Sequence, residues 1–327
     1  EQRAAGEARR LGLWIDALEH EAALDLAQRA AWPLHVIGLS RERFELPLNR
    51  GVVRFADAFV VHSAHVAELV RADRNAPTPV GLVRHGADPA WSSEPRALER
   101  ERLGLPSAWR DGFLVTSFGA IQAHKRIDVL LDAVARARRS RPRLCLALIG
   151  AEEPREYDVR HAIATRGLDQ VVRVTGRQPE EDVRRWLRAG DLGVQLRGPS
   201  TGGTSGAIFQ TLAAGRGVIA SALAEQNELP AECVYKLHHA EDEAGRLAQK
   251  LVELCDAPAV RTAMEQSARE FVERECRWET VGARYLELLE RFPRPRASRR
   301  SLFAMRLEER AREGYARGRR GGAEPHA

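Results

Sequence analysis

Four apolar runs, GFLVTSFG, RLCLALIG, VVRVTG and DLGVQL, fall between Gly112 and Leu196 and alternate with the amphipathic stretches RIDVLLDAVARARRS, REYDVRHAIATRG and PEEDVRRWLRAG. No other feature constrains the fold as tightly. The runs are continuous in Val, Leu and Ile instead of alternating with polar residues, so each strand must be covered on both faces. Such strands joined by helices form a parallel sheet wound with helices on both sides, because a parallel pair needs a crossover connection. The same rhythm predicts a helix at Ser205–Ala214, a strand GVIAS, a strand near Cys233–Leu237, and helices at Asp242–Asp256, Pro258–Glu273 and Trp278–Phe292. Residues from about 110 to 275 thereby complete a doubly wound α/β domain, whose ligands bind at the carboxyl ends of the strands.

Upstream, WPLHVIGLS, a helix across Leu48–Phe55, DAFVVHS, a helix Ala64–Ala72 and PVGLVRHG read as strand, helix, strand, helix, strand. The first thirty residues add an amphipathic helix with Leu11, Trp14, Ile15, Leu18 and Ala22 on one face. Three strands fall short of a Rossmann-like domain of about 150 residues. Residues 1–108 therefore read as the rear half of a first domain, and a chain that begins on Glu1 reads as starting partway through a longer protein.

At 44% hydrophobic over 327 residues, the chain has enough apolar material for two cores. No run approaches eighteen apolar residues and the start lacks a secretory pattern, so neither a transmembrane helix nor a signal peptide is expected. Cys145, Cys233, Cys255 and Cys276 are widely spaced, with no C-x-x-C pair, which fits a reducing setting and no zinc site. The net charge of +5 belongs to the end of the chain, where eleven arginines and four glutamates follow position 290. That tail, residues 293–327, is expected to be mostly disordered with one short helix near Ser301–Glu313. Its plainer reading is a solvated extension. Aromatic residues are not interleaved as single-strand binders require, so nucleic acid is not an expected partner.

Two local features point to an anion. In RGPSTGGTSGAIFQTLAAGRG, Arg197–Gly217, a Gly-rich turn feeds an apolar helix and leaves amides open at the positive end of its dipole. Thr204, Ser205, Gly206 and Ala207 are the candidates for those amides. The alternative is a capped helix start whose glycines permit tight packing. Lys125, one of three lysines in the chain, lies six residues after Gly119. Its compact ammonium on a flexible stem suits a leaving phosphate, and its alternative is an exposed residue at a helix start.

The succession SFGAIQAHKRIDVLLDAV, LALIGAEE, VVRVTGRQPEEDVRRWLRAGDLGVQLRGPS, GAIFQTLAAGRGVIAS and REFVERECRWETVGARYLELL resembles the donor-binding half of the family 4 (group 1) retaining glycosyltransferases of the GT-B fold. The likeness runs in order from about Phe113 to Leu289. NRGVVRFADAFVVHSAHVAEL and VRHGADPAW resemble the end of that family's acceptor domain. The resemblance implies an α/β GT-B chain of two Rossmann-like domains, the first incomplete. Residues 1–108 would be the partial acceptor-side domain, 109–275 the nucleotide-sugar domain, 276–292 a crossover helix, and 293–327 the tail. It implies donor contacts at Gly119, Lys125, Gly202, Gly203, Thr204, Ser205, Gly206 and Gln210, with Arg197 a further cation, and leaves the catalytic residues unassigned.

Departures from the family pattern bear on function. Ala120 stands where the family often has Arg. The family's two glutamates around the turn fall on Gly202 or Gly203 and on Gln210, whose amide accepts more weakly than a carboxylate. No D-x-D follows a strand, so the family's metal-independent chemistry is expected, with no cofactor. His62 and His85 read as structural, and His238–His239 as loop residues. The leading expectation is retaining transfer of a sugar from a nucleotide diphosphate to a glycan or lipid-linked acceptor, in polysaccharide or cell-surface glycan synthesis. The setting would be cytoplasmic, in peripheral contact with the inner membrane face through weak attraction of the tail to anionic lipid. A catalytically impaired nucleotide-sugar-binding pseudoenzyme or assembly subunit stands second, and another GT-B enzyme such as a sugar-nucleotide epimerase third.

Overall fold

A computed structural model describes residues 56–72, 79–155, 157–198, 200 and 203–292. Several predicted elements lie outside them: the WPLHVIGLS strand, the helices within residues 1–55, the helix near Ser301–Glu313, the tail, and Gly202.

The main body is a six-stranded sheet of β3 (Phe113–Phe118), β4 (Leu144–Ile149), β5 (Val172–Val174), β6 (Leu192–Gln195), β7 (Val218–Ser221) and β8 (Val234–Leu237). The strand order is β5-β4-β3-β6-β7-β8, and every neighbouring pair is parallel. Counted within the sheet this is the order 3-2-1-4-5-6 of dinucleotide-binding domains, with its reversal between β3 and β6. Helices α4 (Ile127–Ala137), α5 (Val159–Ala164), α6 (Glu180–Ala189), α7 (Gly206–Ala213), α8 (Ala224–Asn227), α9 (Glu243–Asp256) and α10 (Pro258–Phe271) connect and cover it. All six residues of β4 are buried, as the unbroken apolar run demands. One core face gathers Leu130, Leu131, Leu146, Leu148, Leu247 and Leu251, each contributing about 1.5–3 kcal/mol when fully buried. The other face packs Leu114, Ala147 and Ile149 against Trp186 and Leu187.

Helix starts follow local chemistry. Asp158 accepts from His161 N at 3.0 Å and Asp242 from Gly245 N at 3.1 Å, each capping a first turn. Glu180, Glu181 and Asp182 place negative charge at the amino end of α6. The helix predicted to reach Glu273 instead changes at Val272 into a π-helical turn, Val272–Cys276, before α11 (Trp278–Arg291). The helix predicted across REYDVRHAIATRG begins only at Val159, where Asp158 supplies the cap.

Before this sheet, β1 (Phe59–Val61) and β2 (Val80–Leu82) pair in parallel with α1 (Ala64–Ala72) between them. Glu228 of the larger unit accepts from the amides of Ala64 (2.8 Å) and His65 (2.9 Å), closing the open end of α1. Leu288 of α11 lies so close over β2 that a Cβ on Gly81 would sit 2.4 Å from its Cδ1. The linker carries α2 (Arg96–Arg102) and the short α3 (Ser107–Arg110), neither of which the apolar pattern predicts. They are held by charge. Buried Asp191, just before β6, accepts from Leu114 N (2.7 Å), Arg100 Nη2 (2.6 Å) and Arg96 Nη1 (2.7 Å). Arg100, itself buried, also donates to the carbonyls of Ala189, Arg110 and Gly112.

Candidate donor-binding site

The β3–β6 ladder is short, pairing Val115 with Leu192 and Thr116 with Gly193. Beyond it the buried Gln195 side chain takes over: its Nε2 donates to Phe118 O at 3.1 Å and its Oε1 accepts from Phe118 N at 2.9 Å. A side-chain amide thus satisfies the backbone where the strands diverge, and the crevice at the reversal opens there.

Glycines shape the rim. Gly119, Gly150 and Gly176 close β3, β4 and the β5 extension with φ of +119°, +153° and +70°. At Gly150 any Cβ would lie 2.1 Å from Gly119 O, so the two loop starts touch through backbone alone. The chain after Gly119 makes a 3-10 turn, Ala123–Lys125, followed by Arg126 at φ +52°. Arg126 is anchored by buried Glu243 (2.7 Å) and by His239 Nδ1 (2.5 Å). Gly198 N, on the loop after β6, donates to His124 O at 3.0 Å. These contacts hold the Lys125 turn against the opposite lip of the crevice.

Lys125 folds back over Gly119, its Nζ 3.5 Å from where a Cβ would stand. Among the described residues no carboxylate lies within ion-pair distance of it. Burial, with the Arg197 charge adding to it, pushes the ammonium down to about 8. Arg197 is likewise lowered by burial, which the charge of Glu225 partly offsets, and its buried Nε has no partner among the described residues. Two partly buried cations without an ion-pair partner among the described residues therefore flank the reversal.

The loop after β6 leads to α7, whose amino end faces the same side of the sheet. The N–H groups of Thr204, Ser205, Gly206 and Ala207 have no acceptor among the described residues, and no side chain caps the helix at buried Ser205. Gly203 lies at the edge of this mouth. Gln210 stands one turn further along, half-buried, with no side-chain hydrogen bond among the described residues. His85 arrives from the linker after β2, and its Nε2 stands 3.4 Å from where a Cβ on Gly206 would be. Its Nδ1 lies 2.7 Å from Gly86 O and its ring lies 5.2 Å from that of Phe209. Burial lowers its pKa, partly countered by the Gly86 hydrogen bond and furthered by His62.

Thus Gly119, Lys125, Arg197 and the mouth at 204–207 share one side of the sheet, while Gly202 lies outside the described residues. His85, read from sequence as structural, reaches α7. Buried Glu225, bonded to Ser200, had no sequence signal, because its neighbours are assembled by strand order.

Residues 112–257 match the family model described as "Glycosyl transferases group 1". Over 258 residues the chain is 29% identical to the D-inositol 3-phosphate glycosyltransferase of Thermobispora bispora, covering 74% of this chain and 59% of the relative, so the chain spans under two thirds of that protein's length. Among solved structures it is similar to Anabaena HepE in complex with UDP and glucose (TM-score 0.64, 19% identity, 77% of this chain and 67% of the other). It is similar also to sucrose-phosphate synthase from Thermosynechococcus elongatus (TM-score 0.65, 21% identity, 77% and 62%). The C-terminal domain of a group 1 glycosyltransferase from Francisella tularensis is matched over all of its length and 59% of this chain (TM-score 0.51, 20% identity). The fold is mixed α/β of the Rossmann-like GT-B type.

Proposed function

We propose that this protein is a glycosyltransferase that takes a sugar from a nucleotide diphosphate with retention at the anomeric carbon, in polysaccharide or cell-surface glycan synthesis. The observation that carries the reading is the unpaired Lys125 ammonium, held beside Arg197 at the strand reversal, on the same side of the sheet as four open amides of the α7 mouth. Buried cations without carboxylate partners are costly in the free protein, and a diphosphate supplies the missing charge. The group 1 match over residues 112–257 and the UDP-bound neighbour support a nucleotide-sugar donor.

In this reading the diphosphate lies between the Lys125 turn and α7, with Lys125 and Arg197 on its oxygens and the amides at 204–207 completing the cradle. As the bond from the anomeric carbon to the phosphate oxygen breaks, negative charge grows where these donors already point. The acceptor oxygen bonds the anomeric carbon on the face the phosphate leaves, and its proton passes to the departing phosphate oxygen. Charge is neutralised by protein cations and amides without a metal. Gln210 bonds the ribose through its amide. A second reading, a nucleotide-sugar-binding protein with impaired turnover, draws on glycine at 202 and 203 and on Ala120.

Calorimetric titration of the whole chain with uridine, guanosine and adenosine diphosphates tests the proposal. One of them should bind, and Lys125→Ala should weaken it by about 1–3 kcal/mol. Failure of folded protein to bind any of the three refutes both readings. Binding without transfer or donor hydrolysis in the presence of nucleotide sugars favours the second.

A further inference from the structure

We infer that Glu225 reads the hydroxyl groups of the sugar carried by the donor, a role for which the residues at 202, 203 and 210 provide no carboxylate; the inference rests on the donor-site reading above. Glu225 lies in α8, four residues beyond the last residue of β7, and is only 5% exposed. Its two carboxylate oxygens share the single hydroxyl proton of Ser200, at 3.0 and 2.9 Å. A carboxylate offers about four acceptor positions. Among the described residues most of this buried group's capacity is therefore unfilled, a state that costs free energy until a donor arrives.

Other glutamates on the loops and helices nearby already face a cation or a helix end. Glu152 receives Arg160 at 2.9 and 2.8 Å. Glu243 is ion-paired with Arg126 and His239, which neutralises its charge although neither of its oxygens is hydrogen-bonded among the described residues. Glu228 caps α1. Glu225 makes no ion pair among the described residues, although it is near enough for its charge to offset part of the burial cost of Arg197. The backbone of Arg197 is pinned by Ser221 Oγ at 2.9 Å, and Ser221 ends β7. The sequence of neighbours is thus Lys125, Arg197, Glu225: two cations without an ion-pair partner and then an acceptor largely unfilled among the described residues, along the carboxyl ends of β3, β6 and β7. A ligand with an anionic end and a hydroxyl-bearing end completes all three. A diphosphate alone completes only the cations. Hydrogen bonds from hydroxyls to a carboxylate are charge-assisted and lose strength when the acceptor becomes an amide.

The test compares each nucleoside diphosphate with its glucose conjugate, using UDP and UDP-glucose, GDP and GDP-glucose, and ADP and ADP-glucose, on the wild-type chain, Glu225→Gln and Ser200→Ala. For the best-bound pair, Glu225→Gln should lower affinity for the conjugate by roughly tenfold or more, while affinity for the parent diphosphate stays within about twofold or rises as Arg197 loses its offset. Ser200→Ala should keep the preference for the conjugate. An unchanged conjugate affinity in folded Glu225→Gln overturns the inference while leaving diphosphate binding intact. So does an equal loss for diphosphate and conjugate, or the same loss in Ser200→Ala, either of which would make Glu225 a loop tether. Absence of all nucleotide binding overturns the donor-site reading and this inference together.

Discussion

Replacing Lys125 with methionine should make the protein more stable at pH 7 and unable to hold a diphosphate firmly. The side chain is mostly buried with no carboxylate partner among the described residues, and its pKa falls from the usual 10.5 to about 8. Each unit of difference between folded and unfolded pKa corresponds to about 1.4 kcal/mol, so the charged lysine costs the folded state roughly 3 kcal/mol. Below pH 8 the group is charged in both states and the full cost applies. Between pH 8 and 10.5 the folded state binds fewer protons than the unfolded one, so wild-type stability rises relative to the variant as pH increases. Above that window both are neutral and the electrostatic difference vanishes. Methionine keeps most of the stem, so packing changes little. Urea unfolding of both proteins at several pH values from 7 to 10 measures the difference directly. The expected outcome is a stability gain of about 2–3 kcal/mol at pH 7 that shrinks steadily above pH 8. A variant no more stable than wild type at pH 7, or a difference independent of pH, would refute the reasoning by showing that the ammonium already has a partner.

Asp191→Ala should cost about 3–5 kcal/mol, because it leaves the buried Arg100 charge uncompensated and removes the acceptor of Leu114 N; a urea midpoint little changed would contradict the charge-held linker. Gln195→Leu should cost about 2–4 kcal/mol by stranding both backbone groups of Phe118, and an amide of Phe118 still protected from hydrogen exchange would argue otherwise. Gly150→Ala should destabilise by about 1–3 kcal/mol and weaken diphosphate binding, since its Cβ would displace Gly119 and with it the Lys125 turn; unchanged affinity would show that the turn is positioned independently.

The central sheet was legible because its strands are apolar on both faces, a pattern that few folds other than a doubly wound one can bury. The glycines at 119, 150 and 176 could be placed at strand ends for the same reason. What the sequence did not show depends on strand order. Lys125 and Arg197 meet because β3 and β6 are neighbours, and Glu225 joins them because β7 follows β6 in space. The helix RALERER was missed for a different reason: it has no apolar stripe, and its buried side chains, Glu99 and Arg100, are held by ions. His85 packs on Phe209 at the mouth of α7, a placement that nothing local to it signals.

With only three lysines in the chain, amine-selective acylation followed by mass spectrometry can read the donor site at one residue. With its pKa pushed down to about 8, Lys125 offers far more nucleophilic free amine at pH 8 than an ordinary lysine does, whereas Lys250 is tied to Glu253. A saturating nucleoside diphosphate should recharge and cover Lys125, lowering its acylation severalfold while leaving Lys250 unchanged. Diphosphate bound by calorimetry with Lys125 acylated at its original rate would contradict the account, because the anion would then lie somewhere other than between the Lys125 turn and α7.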